Sequence, residues 1–140
     1  MKRALCLAIT ALAIGLATCP QAQSYNLKLT YRIPFSFTAD TAEFPAGEYE
    51  VTEPSRWILK FRNVTNQHSA FEHVTPARSG SEANGRGRLI FHRYGNKYFL
   101  VEVSDGSIES TYDLRGSIEE KRLADITPRP QLKVVSVLAD

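Results

Sequence analysis

Leu89-Ile90-Phe91-His92-Arg93-Tyr94-Gly95-Asn96-Lys97-Tyr98-Phe99-Leu100-Val101-Glu102-Val103 is the stretch that decides the fold. Two runs rich in aromatic and β-branched residues flank Gly95-Asn96, and a two-residue connection of this kind signals a hairpin. With that loop Arg93 faces Tyr98, His92 faces Phe99, Phe91 faces Leu100 and Ile90 faces Val101. Side chains alternate along a strand. One face therefore carries Ile90, His92, Phe99 and Val101, and the other Leu89, Phe91, Tyr98 and Leu100. Both faces are largely apolar, so the hairpin should be central and covered on both sides.

The chain before the hairpin reads as further strands. Tyr25, Leu27, Leu29, Tyr31 and Ile33 alternate with polar residues, the period of a half-buried strand. Pro34 interrupts the pattern and suggests an edge or a bulge, and Phe35-Ser36-Phe37-Thr38 resumes it. Ala39 to Glu43 reads as a polar connection. Phe44-Pro45-Ala46-Gly47 reads as a turn, with Pro45 presetting φ and Gly47 available for φ > 0. Tyr49 and Val51 mark the buried face of a strand from Glu48 to Glu53, and Pro54-Ser55 breaks the chain again. Trp57, Leu59 and Phe61 alternate with Ile58, Lys60 and Arg62. Asn63 to Gln67 is a polar turn, Ser69 to Thr75 a strand, and Ser79 to Gly87 the longest loop.

The tail differs. Ser117-Ile118-Glu119-Glu120 fits a capping box, with Ser117 as N-cap and Glu120 at N3. It predicts a helix over about 117–125 with Ile118 and Leu123 inward, ended by Pro128 and Pro130. Leu132, Val134, Ser136 and Leu138 then form the inward side of a last strand over about 131–138. Strands at this spacing with turn signals between them predict an all-β fold. The expected form is an antiparallel sandwich or partly open barrel of about seven or eight strands with one short C-terminal helix.

The first residues carry a different message. Lys2 and Arg3, an uncharged apolar run from Ala4 to Thr18, and a small polar segment from Cys19 to Ser24 follow the order of a secretory signal peptide. The run is too short to span a bilayer comfortably. Residues 1–22 are therefore read as a leader cut after Ala22, and 23–140 as one exported β-rich domain, periplasmic or extracellular. A second processing route is open. Leu16-Ala17-Thr18-Cys19 is similar to a bacterial lipobox, in which Cys19 would be lipidated and tether the domain to a membrane. Without the leader about 118 residues remain, enough for a core without staples. Of the 17 basic side chains two belong to the leader, which leaves fifteen against 15 acids. A near-neutral domain has no excess charge to neutralise a phosphate backbone, which argues against nucleic-acid binding. A cut after Ala22 also removes both cysteines, Cys6 and Cys19, and with them any disulfide, thiolate metal site or Cys nucleophile.

Four segments carry a resemblance. They are Ile33-Pro34-Phe35-Ser36-Phe37-Thr38, Phe44-Pro45-Ala46-Gly47-Glu48-Tyr49-Glu50-Val51, the stretch from Leu89 to Leu100, and the charged segment Ser117 to Asp125. In this order, behind the leader, they resemble a family of small exported bacterial β-rich proteins with no assigned function. Val103-Ser104-Asp105 stands where that family usually carries a Trp, and Asp113-Leu114-Arg115 where it has Glu-Leu-Pro. The resemblance implies export and a compact β-domain. It brings no catalytic residue and no cofactor with it.

Candidate chemistry is sparse. His68, His73 and His92 with Glu72 have the residue types of a zinc site. However, His73 and Glu72 are strand neighbours pointing to opposite faces, and His68 lies in a turn, so no metal and no cofactor is expected. There is no G-x-S-x-G elbow and no phosphate loop. Glu48 and Glu50 share a strand face near the spacing of a glycosidase pair, as outward acids on a half-buried strand commonly do. Asn63-Val64-Thr65 matches a glycosylation sequon and reads as a turn. Arg86, Arg88, Arg93 and Lys97 surround Tyr94 and Tyr98, a candidate recognition patch for anionic sugar or lipid head groups. Ordinary cross-strand pairing, with Arg93 on Tyr98, accounts for the same pattern. The functional expectation is a non-enzymatic exported domain that binds an envelope protein or glycan or has a structural role there. The alternatives are a lipid or sugar carrier with its ligand inside a barrel, and a hydrolase with an unrecognised site.

Overall fold

A computed structural model describes residues 27–77, 85–107, 111–126 and 132–140. The segment read as a leader, with Cys19, and most of the Ser79–Gly87 loop lie outside the described residues. The chain is all-β with one short helix: β1 (Lys28–Ile33), β2 (Phe37–Ala39), β3 (Ala42–Phe44), β4 (Gly47–Ser55), β5 (Ile58–Asn63), β6 (Ser69–Pro76), β7 (Arg88–Tyr94), β8 (Lys97–Ser104), β9 (Thr111–Leu114), α1 (Ile118–Ile126) and β10 (Leu132–Leu138).

The deciding hairpin is β7–β8. Gly95 takes a φ of 63°, while Asn96 stays outside the left-handed region, the combination a II′-type turn needs. Arg93 pairs with Tyr98, His92 with Phe99 and Phe91 with Leu100. The expected Ile90–Val101 pair does not form. A bulge between Ile90 and Phe91 adds a residue to β8 and puts Ile90 opposite Glu102.

Neighbouring strands run β1-β4-β5-β6-β9-β8. One edge of β8 then passes to β7 and β10, and its other edge is shared. Glu102–Ser104 pair with β9, whereas Phe99 meets Thr38 of β2, which carries β3. The β2–β8 contact is parallel, a departure from the antiparallel expectation. The result is a single open sheet whose ends approach each other. Asp140 N, just beyond β10, donates to Thr30 O of β1 at 3.0 Å.

Among the described residues ten strands form, more than the seven or eight expected. Ala39–Glu43 is a two-strand turn rather than a loop. Asp40 adopts a φ of 47°, which Asp tolerates better than most residues, so Asp40-Thr41 alone reverses the chain. Thr111–Leu114 escapes notice because four residues are too few to show a period. Pro54 lies inside β4, which ends at Ser55, and an irregularity between Thr52 and Ser55 absorbs the proline.

Aromatic rings fill the space the sheet encloses. Phe37 stacks on Phe44 (4.8 Å, 6°) and meets Tyr49 (5.6 Å) and Phe91 (5.3 Å) edge-on. Tyr31, Val51, Leu59, Phe61, Leu89 and Val103 are wholly buried around them. Tyr49 closes the turn before its strand by donating its hydroxyl to Pro45 O at 2.6 Å. Gly47 lies outside the left-handed region expected of it. Its requirement is space, because a Cβ there would sit 3.0 Å from Asn63 Nδ2. Asn63 is buried, and its Oδ1 accepts from the Thr65 and Asn66 amides, so the sequon side chain is committed to its turn.

The helix forms where the cap predicted, with a different inward face. Ser117 Oγ accepts from Glu120 N at 3.0 Å. Ile118 is 84% exposed, and the one buried helix residue is Glu120. Its carboxylate leaves the capping box for His92 on β7, which turns Ile118 outward. In the last strand Val137 packs on the core and Leu138 is 43% exposed, the reverse of the expected phase at that end.

Candidate binding cleft

Three segments distant in sequence meet the helix start at one surface cleft of about 440 Å³. Ser36, Phe37 and Thr38 come from β2 and its approach, and Glu43, Phe44 and Pro45 from β3 and the turn after it. Asn96, Lys97 and Tyr98 come from the deciding hairpin, and Glu119 from α1. Pro34 makes this possible by ending β1 and releasing the chain toward β8. The parallel Thr38–Phe99 register sets Ser36–Thr38 beside Lys97–Tyr98, and the β2–β3 turn sets Glu43 opposite Thr38. Phe35 supports the floor by stacking on Tyr98 at 3.9 Å. Lys97 Nζ donates to Glu119 Oε1, which holds the Glu119 carboxyl below its ordinary range and ties α1 to the hairpin. A smaller cleft of about 230 Å³ shares Thr38, Glu43 and Glu119 and adds Asp40, Thr41, Ser117 and Ile118.

The predicted cationic patch does not assemble. Only Lys97 and Tyr98 line the cleft. The Arg86 guanidinium donates to Ala139 O through Nε (3.0 Å) and one terminal nitrogen (2.9 Å). Arg88 pairs with Glu102 at 3.6 Å. Arg93 lies 5.3 Å from the Tyr98 ring centroid and donates to Gly95 O, which is the cross-strand pairing expected of it. Tyr94 is buried against Phe99 on the other face of the hairpin. Alternation along the strands divides these residues between the two faces.

His92 also has a structural partner. Its Nδ1 lies 2.8 Å from Glu120 Oε1, a hydrogen bond that the tautomer protonated at Nδ1 donates. The pair fastens α1 over the hairpin, and the same carboxylate adds to burial in pushing the Tyr94 hydroxyl up. A cleft of about 510 Å³ lies here, lined among others by His92, Glu102, Asp113 and Glu120. His68 and His73 are exposed, and Glu72 is buried on the opposite face from His73. Among the described residues no group of three or more His, Cys, Asp or Glu is arranged to hold a metal ion. Glu50 is bound by Lys28 and Arg62, both at 3.1 Å, and held low chiefly by the Lys28 hydrogen bond. Glu48 and Glu50 line none of these clefts. Removing the helix cap tests the α1 contact. Ser117→Ala is expected to lower stability by about 1 kcal/mol, and an unchanged urea midpoint would mean the cap holds nothing.

Sequence reasoning named Lys97 and Tyr98 and passed over Ser36, Thr38, Glu43, Asn96 and Glu119. Segments 33–38, 44–51, 89–100 and 117–125, singled out in the sequence, each send at least one residue here. What the sequence lacked was the parallel β2–β8 contact that brings them together. Comparison of the chain with protein-family models, with characterised proteins and with solved structures finds no match. Among the described residues no helix is long and apolar enough to cross a membrane.

Proposed function

We propose that this is an exported, non-enzymatic β-domain whose β2–β8–α1 cleft binds a hydroxyl-rich ligand of the cell envelope, most simply a glycan. The leader supports export. One observation carries the binding reading: Ser36, Thr38, Glu43, Asn96, Lys97 and Glu119 converge at the rim of an open cleft floored by Phe37, Phe44 and Tyr98. A few placed polar groups around an apolar floor are the usual makeup of a ligand site. Rim groups of both signs, with amide and hydroxyl neighbours, suit a neutral polyhydroxylated chain better than a single charged head group. The carrier reading draws less support, because the enclosed space is occupied by Phe37, Phe44, Tyr49, Phe61 and Phe91. The hydrolase reading draws less support, because among the described residues no Ser, Thr or Cys lines the cleft beside the His92–Glu120 pair.

The test is a titration of isotopically labelled protein with soluble N-acetylglucosamine oligomers and envelope glycan fragments, read by backbone amide shifts. Saturable shifts confined to Ser36–Thr38, Glu43–Phe44 and Asn96–Tyr98 are expected, weakened by Asn96→Ala. Shifts scattered over β4 and β5, or none at saturating glycan, would sink the proposal.

A further inference from the structure

The cleft of about 440 Å³ and the neighbouring one of about 230 Å³ share Thr38, Glu43 and Glu119. The β2–β3 register accounts for two of the three. Thr38 stands opposite Glu43, flanked by the Phe37–Phe44 and Ala39–Ala42 pairs. Directly opposed residues share a face, and the face alternates along a strand. Phe37, Ala39 and Phe44 are buried, so Thr38 and Glu43 point outward and lie under both clefts. Glu119 reaches the same place from the first turn of α1, held there by Lys97. The two clefts are strung along β2. Ser36 and Tyr98 lie at one end, and Asp40, Thr41 and Ile118 at the other. Extended chain rises about 3.3 Å per residue, so Ser36 to Asp40 covers roughly 13 Å. That is longer than one sugar ring and suits a row of them.

Each end offers an apolar surface. Tyr98 is half-buried, with one ring face stacked on Phe35. Ile118 is 84% exposed, the most of any large apolar side chain among the described residues. The C–H faces of sugar rings cover side chains of this kind. Between the two ends Asp40, Glu43 and Glu119 present carboxylates. The one cation of either lining, Lys97, is already bound to Glu119. Ionised carboxylates only accept hydrogen bonds. The occupant must therefore donate, as sugar hydroxyls do, and an anionic chain is repelled.

We propose that the two clefts are one groove, which takes a linear, uncharged oligosaccharide lengthwise from Tyr98 over Thr38 and Glu43 to Ile118. The ligand is then a run of several rings, not a single sugar. This rests on the glycan reading of the larger cleft and extends it to Asp40, Thr41 and Ile118.

The test is titration with N-acetylglucosamine oligomers from dimer to hexamer, read by calorimetry and by backbone amide shifts. Affinity should rise at least tenfold from dimer to hexamer, beyond the few-fold gain that repeated registers supply. Shifts at Asp40, Thr41 and Ile118 should appear only with the longer oligomers. Ile118→Ala, a surface change that leaves the fold intact, should bring the hexamer's affinity down toward the dimer's with an unchanged urea midpoint. Equal affinity for dimer and hexamer, with shifts confined to Ser36–Thr38 and Asn96–Tyr98, overturns the joined groove and leaves the larger cleft's reading standing. A length gain that survives Ile118→Ala without shifts at Asp40 and Thr41 also overturns it, as does equal binding of an oligogalacturonate. Shifts with no oligomer at all overturn both readings.

Discussion

Phe91→Ala is expected to lower the unfolding free energy by about 3–5 kcal/mol, the cost of a cavity in a packed core. The Phe91 ring meets Phe35 at 5.1 Å and Phe37 at 5.3 Å, both edge-on. Those contacts join the hairpin to the segment that forms the parallel pair. Phe99→Ala should cost a similar amount through the opposite face, where Phe99 is buried against Tyr94. Urea denaturation of the two variants measures each face separately. A loss below about 1 kcal/mol for either, which is what surface changes produce, would mean that face is not covered as described.

Stability should fall as pH rises from about 5 to 8, and Glu72 is the cause. It stands on the core face of β6 opposite Leu59, 5% exposed. No described residue donates a hydrogen bond to it. Burial first, and the charge of Asp40 second, push its carboxyl up to about 7. The unfolded chain releases that proton near pH 4.3, so between the two values the folded state binds more protons than the unfolded state. Folding stability then decreases with pH across this window. The contribution is complete below the unfolded value and lost above about 7. The effect is on the order of 2 kcal/mol, after reduction for the partial access of solvent to the carboxylate. Glu72→Gln should raise stability at pH 8 by a similar amount and leave it nearly unchanged at pH 4. Glu50 and Glu119, held low by cations, act on the acid side and do not obscure the comparison. Urea midpoints of the two proteins at several pH values check this. A difference between them that does not grow from pH 5 to 8 would remove Glu72 as the titrating group.

The strands were legible wherever a period of two ran for five residues or more. Tyr31, Val51, Leu59, Phe61 and Phe91 all sit where alternation put them, and Gly95-Asn96 announced the central hairpin. Legibility failed where one local feature outweighed the pattern. A left-handed Asp40 turned a polar connection into two strands. A bulge at Ile90 shifted half of a register. The helix cap was read from Ser117, but its inward face was not. A helix of nine residues with few apolar positions is oriented by what it touches, here His92, which lies 28 residues away. The cleft was legible only as separate segments, because the contact that unites them is parallel and no spacing in the chain encodes it. The candidate patch failed for a simpler reason, since neighbours in sequence within a strand point to opposite sides.

The meeting of β10 with β7, and of Asp140 with Thr30, has a consequence for how this molecule is made. A polypeptide delivered N-terminus first, from a ribosome or through a translocation pore, presents β1 and β4 early but lacks the strand that flanks β7. Long-range pairings of this kind form late and slowly. Until Leu132–Leu138 has emerged, β7 has only β8 beside it. The flank of the sheet beside β7 is thus completed only once Leu132–Leu138 can pair with it.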